Sequence, residues 1–210
     1  MRALDRFYPI VDSAAWVERL VALGARLIQL RIKDPPTKAA STDGRTDVRA
    51  DVRAAKALCA AGRAQLVVND YWQIALEEAC DFVHLGQGDL EGADIRALRK
   101  AGVRLGVSTH DHAELDRALV LEPDYVALGP IYPTILKEMP WAPQGLDRVR
   151  EWRRLVGDIP LVAIGGLTVE RLPGVFAAGA DIAAVVTDVV RSADPTARTR
   201  EWIAVTRSAT

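Results

Sequence analysis

No stretch of this sequence approaches the roughly 18 consecutive apolar residues of a membrane-spanning helix, so nothing in it calls for a bilayer. The opening Met1-Arg-Ala-Leu-Asp5 lacks the apolar segment of a secretory signal, and the reading it supports is a cytoplasmic protein. Neither sign of charge is in excess: 27 Lys and Arg face 28 Asp and Glu, a formal net charge of −1. That removes a general basic field, and with it the default expectation of a nucleic acid or anionic membrane as partner. Cysteine is scarce. Cys59 and Cys80 are the two present; they have no metal-ligand spacing and sit in Ala-rich contexts suited to buried thiols. Cations that do functional work must therefore do it locally.

What is present is an alternation of short apolar runs with longer segments of helical period. With half of its 210 residues apolar, the chain can bury one substantial core, as a single domain. Candidate strands are Phe7 to Val11, Leu27 to Ile32, Gln65 to Asn69, Phe82 to Gly86, Arg104 to Ser108, Tyr125 to Gly129, Leu161 to Gly165 and Ile182 to Val186. Candidate helices between them are Ala14 to Leu23, Val48 to Ala61, Trp72 to Glu78, Ile95 to Lys100, His112 to Leu121, Leu146 to Val156, Val169 to Ala178 and Thr196 to Val205. Gly24, Gly62, Gly102 and Gly179 each follow a helix and precede a strand, where glycine tolerates the left-handed backbone that ends a helix. Eight βα units in about 200 residues predict an α/β fold, a single-domain (β/α)8 TIM barrel; a doubly wound open sheet is the runner-up. Two connections, 34–47 and 130–145, are long enough to be lids or binding loops.

Polar residues gather at the strand C-terminal ends, where barrel active sites are built. Gln29-Leu30-Arg31-Ile32-Lys33 puts Gln29, Arg31 and Lys33 on one strand face and the aliphatic residues on the other. The third and fourth strands end near Asn69-Asp70 and Gly86-Gln87-Gly88-Asp89, the fifth at Ser108, and the sixth runs toward Thr134 and Lys137. The seventh and eighth end in Gly165-Gly166 and Val186-Thr187, the positions after which barrels commonly bind phosphate through backbone N–H groups. Two anion sites of different character are thus expected on one rim. Arg31 and Lys33 beside Asp70 and Asp89 form either a structural ion network or the walls of a Mg²⁺ diphosphate site, since Mg²⁺ favours one or two carboxylates plus phosphate oxygens. Asp70 is also placed to cap a helix and Asp89 to serve a turn.

These tracts, together with Gly106-Val-Ser108, Gly129-Pro-Ile-Tyr-Pro-Thr134, Ile164-Gly-Gly166 and Val185-Val-Thr187, resemble thiamine phosphate synthases in order and across most of the chain. The resemblance implies a Mg²⁺-dependent transferase acting on two small phosphorylated substrates. It would join 4-amino-2-methyl-5-(diphosphooxymethyl)pyrimidine to a hydroxyethylthiazole phosphate, giving thiamine monophosphate and pyrophosphate. By the same resemblance Gln29, Leu30, Arg31, Ile32, Lys33, Asn69, Ser108 and Lys137 hold the pyrimidine diphosphate, with Arg31, Lys33, Ser108 and Lys137 acting on the departing pyrophosphate. Thr134, Ile135, Leu136, Gly166, Val186 and Thr187 hold the thiazole phosphate, and Asp70 and Asp89 hold the metal. The chain departs from the family at Leu136, which stands where a Thr is common, and at Thr187, where a Ser is common.

Two other readings compete. A thiazole tautomerase, an isomerase similar to this family, would use a histidine such as His110 as proton carrier, but its signature is loss of the diphosphate and metal residues, and none is lost here. A barrel that binds a phosphate ligand without turning it over is the third. His84 reads as a hydrogen-bonded structural histidine. The sequence leaves open whether the barrel forms a homo-oligomer.

Overall fold

The computed structural model describes residues 4–33, 48–134 and 142–208. Eight parallel strands follow one another round a closed barrel in chain order: β1 (Phe7–Val11), β2 (Leu27–Leu30), β3 (Gln65–Asn69), β4 (Phe82–Leu85), β5 (Arg104–Thr109), β6 (Tyr125–Leu128), β7 (Leu161–Ile164) and β8 (Ile182–Val185). β8 closes the ring by pairing with β1 through Phe7 and Ala183. Strands covered on both faces should read as near-continuous apolar runs, and FVHL, YVAL, LVAI and IAAV do. β2 stops at Leu30, short of the expected Ile32, but the Arg31 N–H still donates to the Val11 carbonyl at 2.7 Å and stays pinned to the wall.

The helices are α1 (Ala14–Ala22), α2 (Val48–Ala61), α3 (Trp72–Glu77), α4 (Gln87–Leu90), α5 (Ile95–Lys100), α6 (His112–Val120), α7 (Gly145–Val156), α8 (Leu172–Ala177), α9 (Thr187–Val190) and α10 (Pro195–Ser208). α4 and α9 were not expected, because four residues are too few to show a 3.6-residue period. The expected helix from Val169 is divided: a 3₁₀ turn covers Val169–Arg171 and α8 follows, with Pro173 in its first turn, where a missing N–H costs nothing. Asp94 and Asp111 cap α5 and α6 by accepting from the Ala97 and Glu114 N–H groups. Gly24, Gly102 and Gly179 take the left-handed conformation after their helices; after α2 it is Arg63, not Gly62, that does so.

Side-chain alternation divides the core in two. Leu27, Val67, Phe82, Tyr125, Val162 and Ile182 fill the barrel interior, while Ile28, Leu30, Val68, Val83 and Val126 pack outward against the helices. α7 shows the helix side of that contact, burying Val149, Trp152 and Val156 at i, i+3 and i+7. At the N-terminal face, the residue before each of β4, β6 and β8 is an aspartate that grips the preceding strand. Asp81 accepts from the Gln65 side chain at 2.7 Å, Asp124 from the Leu105 N–H at 2.8 Å and Asp181 from the Leu161 N–H at 2.8 Å. Each also pairs with an arginine: Arg104, Arg99 and Arg153 respectively. The opposite rim carries the C-terminal ends of the strands.

Candidate active site

That rim surrounds a cavity of about 420 Å³ in the barrel mouth. Gln29, Arg31, Lys33, Asn69, Asp70, Asp89, Ser108, Thr134, Gly166, Val186 and Thr187, all singled out from the sequence, line it together. Leu30 and Ile32 do not. Their side chains turn outward into the layer between strands and helices, so only their backbone can face a ligand. Ile135, Leu136 and Lys137 lie outside the described residues, as does the connection 34–47.

On the β2–β4 side the cavity wall is charged. Lys33 pairs with Asp70 at 3.0 Å, so the structural ion network is realised for that pair. Arg31 makes no side-chain bond to any described residue, although its charge reaches His84. Asp70 does not cap α3, whose first flanking residue is Tyr71; instead it stands in the left-handed region at φ 64°, a strained placement that asparagine and aspartate tolerate best. Asp89 lies inside α4 rather than in a turn, and its carboxyl meets that of Asp70. Burial, the Asp70 charge and their mutual hydrogen bond raise the Asp89 carboxyl above the usual aspartate range, against the pull of Lys33 and a bond from the Gly86 backbone. Two carboxylates so close favour a shared proton or cation. Beside them the Asn69 amide nitrogen is buried with no hydrogen-bond partner among the described residues, a donor that a ligand oxygen would satisfy.

The β7–β8 side is neutral. Gly165 and Gly166 both adopt positive φ, 96° and 65°. A Cβ on Gly166 would sit 2.5 Å from the Pro133 carbonyl oxygen and 2.8 Å from the Tyr132 Cβ, so the chain here closes tightly against the turn after β6. Arg171 locks that turn, donating to the Gly166 carbonyl while its guanidinium lies over the Tyr132 ring at 4.4 Å. Thr187 opens α9, and the first N–H groups of a helix have no partner within it.

Among the lining residues Tyr8 was not anticipated, whereas His110 was, as the proton carrier of the tautomerase reading. Tyr8 lines the cavity and bonds Tyr125 in the barrel interior at 2.8 Å, and His110, bonded through Nδ1 to Glu114 at 2.7 Å, lines it too. The inward strand positions of Tyr8 and Tyr125 are readable from alternation once the barrel is assumed; their polar partners are not. His84 is buried and hydrogen-bonded through both ring nitrogens, as expected of a structural histidine, and burial pushes it down to about 4, with the Asp70 charge opposing and the Arg31 charge assisting.

A closed parallel barrel with a charged wall and a backbone cradle at its C-terminal mouth defines a TIM-barrel enzyme that handles phosphate esters. Comparison narrows the class. The family model described as thiamine monophosphate synthase matches residues 7–189, and the chain belongs to that family. Thiamine-phosphate synthase of Rhizobium etli is 61% identical over 203 residues, 97% of this chain and 96% of the relative. That of Klebsiella pneumoniae is 48% identical over 198 residues, 94% and 90%. Among solved structures, thiamine phosphate pyrophosphorylase from Pyrococcus furiosus superimposes with a TM-score of 0.80 at 26% identity, covering 97% of this chain and 96% of that one. A 3-hexulose-6-phosphate synthase, at 18% identity and a TM-score of 0.67, shares the fold alone.

Proposed function

We propose that the chain condenses 4-amino-2-methyl-5-(diphosphooxymethyl)pyrimidine with a hydroxyethylthiazole phosphate, releasing thiamine monophosphate and pyrophosphate. The observation that carries this reading is the pairing, in one cavity, of a cation and carboxylate wall on β2–β4 with a glycine cradle on β7–β8. One wall suits a metal diphosphate and the other a monophosphate ester, so two phosphorylated substrates would meet between them. Isomerisation of a single thiazole is not favoured, since such an enzyme has no use for the first wall.

Asp70 and Asp89 fit Mg²⁺: they are two hard oxygen donors held close enough that the Asp70 charge raises the cost of ionising Asp89. Bound there, the ion would supply positive charge beside the diphosphate. Arg31 and Lys33, with Lys137, take up the negative charge that grows on the pyrophosphate as the methylene carbon–oxygen bond breaks, and its electron pair leaves with that oxygen. Asn69 Nδ2 and the Ser108 hydroxyl hold the phosphoryl oxygens in place. Gly166, Val186, Thr187 and Thr134 fix the thiazole phosphate so that the ring nitrogen faces the methylene carbon and forms the new carbon–nitrogen bond. The apolar floor of Ile10, Val162 and Ala184 keeps water from the cation-like carbon. No protein nucleophile or histidine base is needed. Incubation with both precursors, with and without Mg²⁺, is expected to yield thiamine monophosphate only with the metal; no product at any Mg²⁺ concentration overturns the reading.

A further inference from the structure

Beneath the cavity, five polar side chains from five different strands form one continuous file. The Gln29 Nε2 donates to the Tyr8 hydroxyl at 2.9 Å; the Tyr8 hydroxyl meets that of Tyr125 at 2.8 Å; the Tyr125 hydroxyl meets His84 Nδ1 at 2.7 Å; and His84 Nε2 meets the Ser108 hydroxyl at 2.8 Å. Gln29, Tyr8, Tyr125 and His84 are all buried, at 2%, 1%, 0% and 8% exposure. Water cannot repair a misdirected proton among them, so the direction of each bond is decided by its neighbours.

A tyrosine hydroxyl has one proton to give. Tyr8 accepts from Gln29, and the Tyr125 oxygen is its remaining described partner, so it donates there. Were Tyr125 to donate to Tyr8 instead, the Tyr8 proton would be buried without an acceptor, a costly arrangement. Tyr125 must then give its own proton to His84 Nδ1. A neutral imidazole whose Nδ1 accepts carries its proton on Nε2, and that proton points at the Ser108 oxygen. Ser108 has now accepted, and its single proton is free to be given away. Its carbonyl is already taken by the Gln87 side-chain amide at 2.7 Å, so the residue is held while its hydroxyl turns toward the cavity it lines.

We propose that this one-way file makes the Ser108 hydroxyl a fixed donor into the cavity, with His84 as a positioning residue rather than an acid or base. On the reading given above, which this inference rests on for its ligand, the acceptor is a phosphoryl oxygen of the diphosphate. Both nitrogens of His84 are spent on the file, which explains how an imidazole can line the cavity without taking part in proton transfer. At the far end Gln29 also lines the cavity, and its amide oxygen has no partner among the described residues, so it is left for a ligand N–H. A ligand that donates to Gln29 and accepts from Ser108 completes the file at both ends and holds the amide in the orientation that sets its direction. The barrel makes room for this arrangement. The Tyr125 ring stacks on His84 at 5.6 Å and 13°, and it occupies the space opposite Gly106 that any Cβ there would overlap.

The test reads the tautomer directly. Long-range ¹H–¹⁵N correlation spectra of the ¹⁵N-histidine-labelled wild-type protein at neutral pH resolve three histidines, His84, His110 and His112, and His84→Gln identifies its own signals. The expected result is a neutral His84 ring with its proton on Nε2; a proton on Nδ1 overturns the proposal. This readout needs no substrate, so it stands even if no thiamine monophosphate is formed. A second measurement follows binding of Mg²⁺ pyrophosphate by calorimetry. Tyr125→Phe and Ser108→Ala are each expected to weaken it roughly tenfold, and the double variant no further, because Tyr125 acts through Ser108. Multiplying effects of about a hundredfold in the double variant would show that Tyr125 works independently and would overturn the relay.

Discussion

The carboxylate pair gives the sharpest prediction, because substituting one partner should change stability in opposite directions with and without metal. In the metal-free protein the folded state raises the Asp89 carboxyl above its ordinary value of 3.8. A raised carboxyl binds its proton more tightly when folded, so its contribution to stability is complete below the ordinary value and is lost as pH rises through the raised one. At pH 7 the ionised pair is therefore a net liability. Two unit charges about 4 Å apart repel by about 4 kcal/mol at an effective dielectric near 20. Solvent in the open mouth and Lys33 beside Asp70 screen most of that, leaving about 0.5–1 kcal/mol. For a chain of this size that is about 1–4 °C in melting temperature. Asp89→Asn, which removes one charge and leaves the Lys33–Asp70 pair intact, should thus melt about 1–4 °C above wild type in EDTA at pH 7. Saturating Mg²⁺ should reverse the order. A ligand at a hundred times its dissociation constant adds about 2.7 kcal/mol, which wild type gains and the variant largely forgoes, along with its turnover. Thermal melts in EDTA and in MgCl₂ decide the matter: a variant that melts below wild type in EDTA, or that gains as much from Mg²⁺, refutes the assignment of the pair as a metal site.

Asn69→Ala removes a buried donor that nothing in the described structure satisfies, so it should shift the melting temperature by less than about 2 °C while lowering kcat/KM roughly tenfold or more; a large stability loss would mean that the amide serves the fold. Gly166→Ala forces a Cβ against the Pro133 carbonyl and the Tyr132 side chain at positive φ, at a cost of about 1–3 kcal/mol. It should raise KM for the thiazole phosphate far more than for the diphosphate, and equal rises would deny the division of the cavity into two walls. Burial pushes the Cys59 thiol up to about 12 and raises Cys80 as well, so neither should react with a thiol reagent at pH 8 in the native protein, though both should in urea. Rapid native labelling would contradict that burial.

The eight strands were legible because each is a short β-branched run between helical segments, and chain order alone then orders a parallel barrel. The charged wall was legible too: alternation along Gln29 to Lys33 is enough to put Arg31 and Lys33 on the cavity side. Three kinds of feature were not. α4 and α9 are too short to leave a period, yet they place Asp89 and Thr187 at the cavity. The outward turn of Leu30 and Ile32 follows from the same alternation, but a motif quoted as a block hides it. The file from Gln29 to Ser108 joins residues up to 117 positions apart, and only closure of the barrel brings Tyr8 against Tyr125.

The aspartates at the foot of the barrel bear on how such a chain can vary. Each ties the strand it precedes to the one before, so β3 is fastened to β4, β5 to β6 and β7 to β8. These ties group six of the strands in twos at the base, with Arg104 of β5 reaching back across one seam to Asp81 and Gln65. The smallest piece that could be exchanged with a related barrel while keeping each aspartate with the strand it grips is a stave of two strands and their helices. The β3–β4 stave carries Asn69, Asp70 and Asp89, and the β7–β8 stave carries Gly166 and Thr187. The carboxylates of the first wall would then travel with one stave, leaving the cations Arg31 and Lys33 behind on β2, and the glycine cradle with the other, so the cradle is the part that could be reshaped most independently.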